Sequence, residues 1–284
     1  MNSTDFINEL KASDLYTDGF EKTYAEFQYF QKLANDTLNE FHRVCEENGI
    51  PYQLAYGSLL GAIRDNGKIP WDYDIDVWVP YSAKDKLVRA LEKNLAAKYY
   101  FYCPDSDKKC RHFMMRLTPV GFKSEVLHVD VFYTVEVPKE LKYREEFRKE
   151  LLNLFNNRYY KLVKVDRESF WLSDIIRCYY MKAILGLKSV KSLDKMFKKL
   201  CEESLGFKSN LSVSIDSDIM KRTFQTDKLW DTKIIELPSG NYRISKNYDY
   251  ILREIYNDYT KIFPLEDRLR EMMRTYKNIK NSLR

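Results

Sequence analysis

No tract of glycine, serine or proline and no internal repeat interrupts the 284 residues. Intrinsic disorder is therefore not expected beyond the ends. Cysteine is sparse and unpatterned: Cys45, Cys103, Cys110, Cys178 and Cys201 make an odd count with no C-x-x-C pair. That argues against a zinc site and against a disulfide framework, and leaves buried reduced thiols of a cytosolic protein as the expectation. The N-terminal MNSTDFINELKASDLYTDG lacks a basic segment followed by an apolar run, so it does not read as a signal peptide. No window approaches the ~20 apolar residues that span a bilayer. The chain reads as soluble and cytoplasmic, at most touching a membrane at its inner face. A formal net charge of +5 permits an anionic partner without demanding one. What the chain has in quantity is apolar and aromatic material. Apolar residues make up 44%, enough for a sizeable core, with 22 Tyr, 16 Phe and 4 Trp.

Periodicity predicts a long helix over 19–48, stopped at Gly49, from Phe27, Phe30, Leu33, Leu38, Phe41 and Cys45. IPYQLAYG reads as a strand entering a Gly57-Ser58 turn, and 59–64 as a short helix. Asp74 to Val79 alternates acidic and apolar side chains and reads as a second strand. A helix over 81–98 follows, then strands over 99–102, 112–117 and 126–133. The order implies an α/β or α+β core, a mixed sheet with helices packed on it. After Pro138 the chain reads as largely helical. A strand over 233–237, a turn at 238–241 and helices over 247–260 and 265–281 complete it. We expect a catalytic core over 1–138 and a mostly helical region over 139–284.

Three aspartates, Asp72, Asp74 and Asp76, stand on alternate positions of GSLLGAIRDNGKIPWDYDIDVWVP. On a strand Asp74 and Asp76 share one face while Ile75 and Val77 face a core. Two adjacent carboxylates are costly without a positive charge between them. No Lys or Arg occupies a matching position of the segment, and a hard divalent cation, Mg²⁺ or Mn²⁺, suits the oxygen ligands. Gly57 allows close backbone approach to a ligand, and the N–H groups after Ser58 suit a phosphate. A third carboxylate, Asp130, stands mid-strand in HVDVFY. Each piece alone is common. Together, strand–Gly-Ser–helix, strand D-x-D and an acidic strand form the pattern of the nucleotidyltransferase fold.

YGSLLGAIRDNGKIPWDYDIDVWVP resembles the signature of the LicD family, approximately G-T-L-L-G-A-x-R followed by I-P-W-D-D-D-I-D. The resemblance takes in RVCEENGIPYQLAYG upstream, VLHVDVFY downstream and, in outline, IIELPSGNYRISKNYDYILREIYNDYTKIFP. Tyr73 stands where the family often has Asp, Asn257 replaces a Gly in YNDY, and Arg268, Arg270 and Glu271 follow Pro264 where a His is expected. The resemblance implies a transferase that moves a phosphorylated alcohol from a CDP-linked donor to a glycan or lipid-linked glycan. Phosphocholine from CDP-choline, releasing CMP, is the first choice. Ribitol phosphate (as in the related fukutin group), glycerol phosphate, a sugar phosphate and true nucleotidyl transfer are the alternatives. On this reading Asp74 and Asp76 hold the metal and Asp130 is a further ligand or the base. Arg64 and Lys68 meet phosphate charge, Gly57 and Ser58 contact phosphate or ribose, and Trp71 and Tyr73 stack on cytosine or cage a quaternary ammonium.

The 139–199 stretch carries 16 Lys or Arg against 8 Asp or Glu, a local +8. Lys188, Lys191, Lys195, Lys198 and Lys199 share one helix face, preceded by the aromatic FWLSDIIRCYYMKAILG. A solvated basic face is one reading, and a surface for anionic lipid or polymer the sharper one. A non-enzymatic binding module resting on this region is the competing function, and it would make the aspartates dispensable. Nucleic acid is not expected as a partner.

Overall fold

The computed structural model describes residues 1–123, 126–165 and 171–282, so Phe170 of the aromatic run lies outside the described residues. Along the chain run α1 (Ser3–Lys11), α2 (Phe20–Glu47), β1 (Gln53–Leu54) and α3 (Tyr56–Leu60), which passes into a π-helical turn (Gly61–Asp65). Next come β2 (Ile75–Pro80), α4 (Lys84–Asn94), β3 (Tyr99–Tyr102), β4 (Met115–Pro119) and β5 (Val129–Glu136). Three helices follow: α5 (Leu141–Leu162), α6 (Leu172–Ile184) and α7 (Val190–Ser204). The chain closes with β6 (Leu211–Ser214), β7 (Phe224–Gln225), α8 (Thr226–Trp230), β8 (Thr232–Leu237), β9 (Gly240–Ser245), α9 (Tyr248–Tyr256) and α10 (Leu265–Ser282). The fold class is α+β, a mixed sheet with packed helices.

The chain divides into two compact units, one of Met1–Phe101, Arg116–Val131 and Lys228–Arg284, the other of Tyr102–Met115 and Phe132–Asp227. In the first, the strand order is β1-β2-β5-β4-β3. β1 pairs antiparallel with β2 through Gln53↔Trp78 and Leu54↔Val77. Ile75, Val77 and Val79 of β2 are buried, as period-two alternation requires. α2 buries a stripe of Tyr24, Phe27, Phe30, Ala34, Leu38, Phe41 and Cys45. Its end is set by Gly49 at φ +57, a conformation glycine adopts without strain. β8 and β9 form a hairpin whose register, Leu237↔Gly240, leaves Pro238 and Ser239 as the loop. Gly240 sits at φ +144, and a Cβ there would stand 2.3 Å from Asn39 Oδ1. That close approach lets Asn39 Nδ2 donate to Ser239 O at 2.9 Å and tie the hairpin to α2.

In the second unit, the distal part of β5 pairs antiparallel with β6 through Val135↔Val213, and β6 with β7 through Ser212↔Phe224. Buried Arg148 of α5 donates from Nε to Ile219 O at 2.7 Å. Buried Arg158 donates to Cys110 O at 2.9 Å and pairs with Asp194 of α7. All five cysteines are buried thiols.

The structure departs from the sequence expectation in places with identifiable causes. The strand expected before Gly57 shortens to Gln53–Leu54, because Tyr56 at φ +43 already turns the chain into α3. α3 starts three residues before the expected helix and ends as a π turn. α1, β6, β7, α8 and β9 were not expected: the strands are too short, or too irregular in alternation, to announce themselves. Three unexpected strands, β6, β7 and β9, therefore join the expected β8 in the stretch read as mostly helical.

Candidate active site

Helix α2 positions the acidic loop. Tyr24 Oη donates to Pro70 O at 3.1 Å, and buried Gln31 donates from Nε2 to Asp72 O at 2.6 Å and Ile69 O at 3.2 Å. These bonds fix the IPWD backbone. Asp72 then accepts the Asp74 N–H on Oδ1 at 3.1 Å, a local turn that sets the entry to β2. Gly57 faces this loop: a Cβ on it would meet Asp72 Oδ2 at 3.3 Å. Ser58 Oγ accepts the Asp76 N–H at 2.9 Å, so the turn and the acidic strand are directly joined. Tyr56, strained at φ +43, packs its ring edge-on to Trp78 at 5.0 Å.

The carboxylates influence one another strongly. Asp76, half-buried, is held well above the ordinary carboxylate range, first by burial and then by repulsion from Asp130, Asp74 and Asp72. Asp72 is pushed up to about 6 by burial and by Asp74, against the pull of Lys68. Lys68 donates to Tyr73 O, and burial brings it down to about 8 while the three aspartates hold it up. Asp130 goes the other way. Burial would raise it, but His128 and Arg116 outweigh that and bring it to about 2. Arg116 Nε lies 2.8 Å and His128 Nε2 3.2 Å from Asp130 Oδ1. The Tyr73 phenol lies against Asp74, and burial together with that charge keeps it protonated. Four carboxyl groups thus face three basic side chains, Lys68, Arg116 and, beside Asp74, Arg274 of α10, and carboxyl groups remain in excess.

A cavity of about 370 Å³, counting space open to solvent, is lined by Gly57, Ser58, Lys68, Asp72 and Asp74 with Leu237, Ser239 and Tyr242 of the hairpin. Asp76 and Asp130 are outside that lining. A wider polar cleft of about 800 Å³ lies between α2 and the hairpin loop and shares Asn35 and Ser239 with it. Tested for a metal, the donor set is all carboxylate oxygen and carries surplus negative charge, which suits a hard cation. Among the described residues no three His, Cys, Asp or Glu side chains are gathered closely enough to enclose an ion. Side chains alone would therefore supply only part of a coordination shell, with Asp74 and Asp76 as the donors that fit.

Asp74, Asp76, Asp130, Gly57, Ser58, Lys68 and Tyr73 are brought together. Arg64 and Trp71 are placed elsewhere. The Arg64 guanidinium forks onto buried Asp65 at 2.7 Å and lies 5.8 Å from the Trp71 ring. Trp71 is 5% exposed, packed on Phe6 at 5.6 Å and beneath Arg268 at 5.1 Å, where a base or ammonium cannot stack without displacing them. Arg268, which stands near the expected histidine, pairs with Glu9 at 3.0 Å and supports the back of the acidic loop.

Sequence reasoning missed Arg116 and His128. The alternation H-x-D in HVDVFY carried the second, since His128, one residue before β5, stands two residues from Asp130, whereas nothing local linked Arg116 of β4 to Asp130. It also missed Arg274 of α10, whose guanidinium is held by Glu271 and lies close enough to Asp74 to feel its charge.

A family profile described as the LicD/FKTN/FKRP nucleotidyltransferase domain matches residues 49–173. The chain is 25% identical over 254 residues to lipopolysaccharide cholinephosphotransferase LicD of Haemophilus influenzae, covering 84% of this chain and 92% of that protein. It is 42% identical over 48 residues to the ribitol 5-phosphate transferase FKRP of mouse and of human, a match covering 17% of this chain and 10% of each relative. The acidic strand, the Gly-Ser turn and the Asp130 strand all fall inside the matched residues, and residues 49–173 form a nucleotidyltransferase domain of the LicD family.

Proposed function

We propose that the chain moves a phospho-alcohol group, phosphocholine first, from a CDP-linked donor to a hydroxyl of a cell-surface glycan or glycolipid precursor, releasing CMP. That it is a phosphotransferase follows from the family and from the long match to a cholinephosphotransferase. The observation that carries the finer reading is the surplus of carboxylate at Asp72, Asp74, Asp76 and Asp130 beside a cavity opening at Gly57 and Ser58. A site built to bind only an anion would not gather like charges, so a cation must arrive with the substrate.

Asp74 and Asp76 are the side chains that would hold Mg²⁺ or Mn²⁺, with Asp130 beside them. Held there, such an ion would supply the positive charge that offsets the diphosphate and the departing CMP. Gly57 leaves room for a phosphate at the Ser58 turn, and Ser58, its acceptor pair committed to Asp76, presents its O–H to a phosphate or ribose oxygen. Lys68 and Arg274 meet the remaining phosphate charge. Tyr73, next to Asp74, is the aromatic ring placed to contact the transferred group. Asp130, held ionised by Arg116 and His128, fits either a further ligand to that ion or the group that takes the acceptor proton. The polar cleft lined by Gln28, Asn35 and Ser239 suits the hydroxyl-rich acceptor. A nucleotide-linked donor places the reaction in the cytoplasm.

The test is incubation with CDP-choline, CDP-ribitol and CDP-glycerol in turn, following CMP by mass spectrometry. Release of CMP from CDP-choline supports the reading. Release from another of the three reassigns the alcohol, and release from none of them, with and without glycan acceptors, contradicts it.

A further inference from the structure

Helix α6 is built the wrong way round for a core helix. Of its residues only Cys178 is buried. On the side opposite Cys178, Leu172, Ile176, Tyr180 and Ile184 recur at every fourth position, each 58–72% exposed. Trp171, immediately before the helix, is 83% exposed, and Leu187, just after it, stands fully in solvent. A helix normally turns such a stripe inward, and a contiguous exposed apolar stripe of this kind marks an interaction surface.

Charge tells what the surface meets. Lys188 adjoins Leu187, and Lys191 and Lys195 follow on α7 one turn apart. All three are exposed, and none is paired with a carboxylate among the described residues. The other lysines of the run are engaged, Lys198 with Glu202 at 3.7 Å and Lys199 with Glu203 at 3.6 Å. Asp194 on α7 is turned inward onto Arg158. The carboxylate left exposed on α6, Asp174, lies on the helix side away from the stripe. An apolar stripe with a bulky indole at one end and unneutralised lysines at the other matches the boundary of an anionic bilayer: acyl chains below, phosphate headgroups beside the cations.

We propose that the α6 face, from Trp171 to Leu187, seats in the headgroup layer of an anionic membrane, with Lys188, Lys191 and Lys195 holding lipid phosphates. This does not rest on the transfer reaction.

The test uses the full chain with vesicles of pure phosphatidylcholine and of phosphatidylcholine mixed with phosphatidylglycerol. Co-sedimentation is expected with the mixed vesicles at low ionic strength and lost at about 1 M salt, where the screening length is roughly 3 Å. Trp171 emission should shift to the blue on binding, and that shift should vanish in Trp171→Phe. Lys188→Glu with Lys191→Glu and Lys195→Glu should weaken binding by about 100-fold or more. Ile176→Asp with Tyr180→Asp should weaken it at least as much. These positions are exposed, so the variants should fold. Equal binding to both vesicle types, binding indifferent to either set of substitutions, or a shift that persists in Trp171→Phe would overturn the proposal. So would a concentration-dependent dimer that Ile176→Asp with Tyr180→Asp dissolves, since the face would then belong to a second copy of the chain.

Discussion

The Ser58 hydroxyl accepts the backbone N–H of Asp76 at 2.9 Å. Two pieces that are 18 residues apart and individually unremarkable, a Gly-Ser turn and an acidic strand, are therefore one object. The bond fixes where the Asp76 carboxylate stands and leaves the Ser58 proton to donate outward. Ser58→Ala strands a part-buried N–H, which should lower stability by about 1–2 kcal/mol. Turnover should fall more than that loss of folded protein explains. Chemical denaturation beside kcat at saturating donor separates the two, and a proportionate loss of both would make Ser58 merely structural.

Asp74→Asn and Asp76→Asn should each abolish turnover while the chain stays folded. For Asp76 there is a pH signature. Its folded carboxyl, like that of Asp72 at about 6, lies above the unfolded value near 4. Between those values the folded chain binds more protons than the unfolded one, so these groups add stability as pH falls from 7 towards 5. Half-buried His42, lowered below its ordinary value by burial, works in the opposite direction. The informative quantity is thus the difference between wild type and Asp76→Asn. Without added metal, the variant should be the more stable at pH 7, and the gap should close as pH falls to about 4, where the unfolded carboxyl also takes up its proton. A gap independent of pH would show that the carboxylates do not repel one another.

Asp130 at about 2 owes its value to Arg116 and His128 overcoming burial. Arg116→Met removes the charge at 2.8 Å and should let that value rise. The stabilising contribution of Asp130 is present above its unfolded pKa near 4 and lost as pH falls through the folded one, so Arg116→Met should shrink the stability that is lost between about pH 4 and pH 2. We expect Asp130→Ala to lower kcat by ~10²-fold or more. An effect confined to KM for the acceptor would make Asp130 a binding residue.

Gly61 has an ordinary helical backbone, φ −60°, so its need is for space alone. A Cβ there would stand 2.6 Å from Gly67 O and 3.0 Å from Ile69 N, both backbone atoms that cannot swing aside. Gly61→Ala should cost about 1–3 kcal/mol, as overpacking does, and should displace the loop carrying Lys68 and Asp72. Gly67→Ala, with open space around it, is the control and should leave thermal stability unchanged.

The sequence is legible where period and chemistry coincide. Asp76 on the strand face opposite buried Ile75 and Val77 was readable from a two-residue period, while Asp74, expected on that strand, lies in the turn just before it. β3 at Tyr99–Tyr102 was readable as a short run of strand-favouring aromatics, and the extent of α2 from its helical period. Trp71 misled because proximity in sequence to the aspartates is not proximity to the cavity: its ring turns back onto Phe6 and Arg268, residues at the two ends of the chain. Arg64 misled likewise, since its partner Asp65 is its own neighbour. Arg116, Arg274 and the β8–β9 hairpin reach the site only through tertiary packing, and no local pattern announces such contacts. The aromatic run before the basic helix was visible, but that its apolar side faces solvent depends on which face of α6 carries Cys178 inward.

The central claim is that the alcohol phosphate, not the nucleotide, moves to the acceptor. The most direct measurement is the mass of the acceptor glycan after reaction with CDP-choline and Mg²⁺, with EDTA and with Asp76→Asn as controls. The account predicts an increment of one phosphocholine, matched by free CMP, and no increment in either control. An acceptor carrying the cytidylate itself, or a phosphocholine increment that survives EDTA or Asp76→Asn, would contradict it.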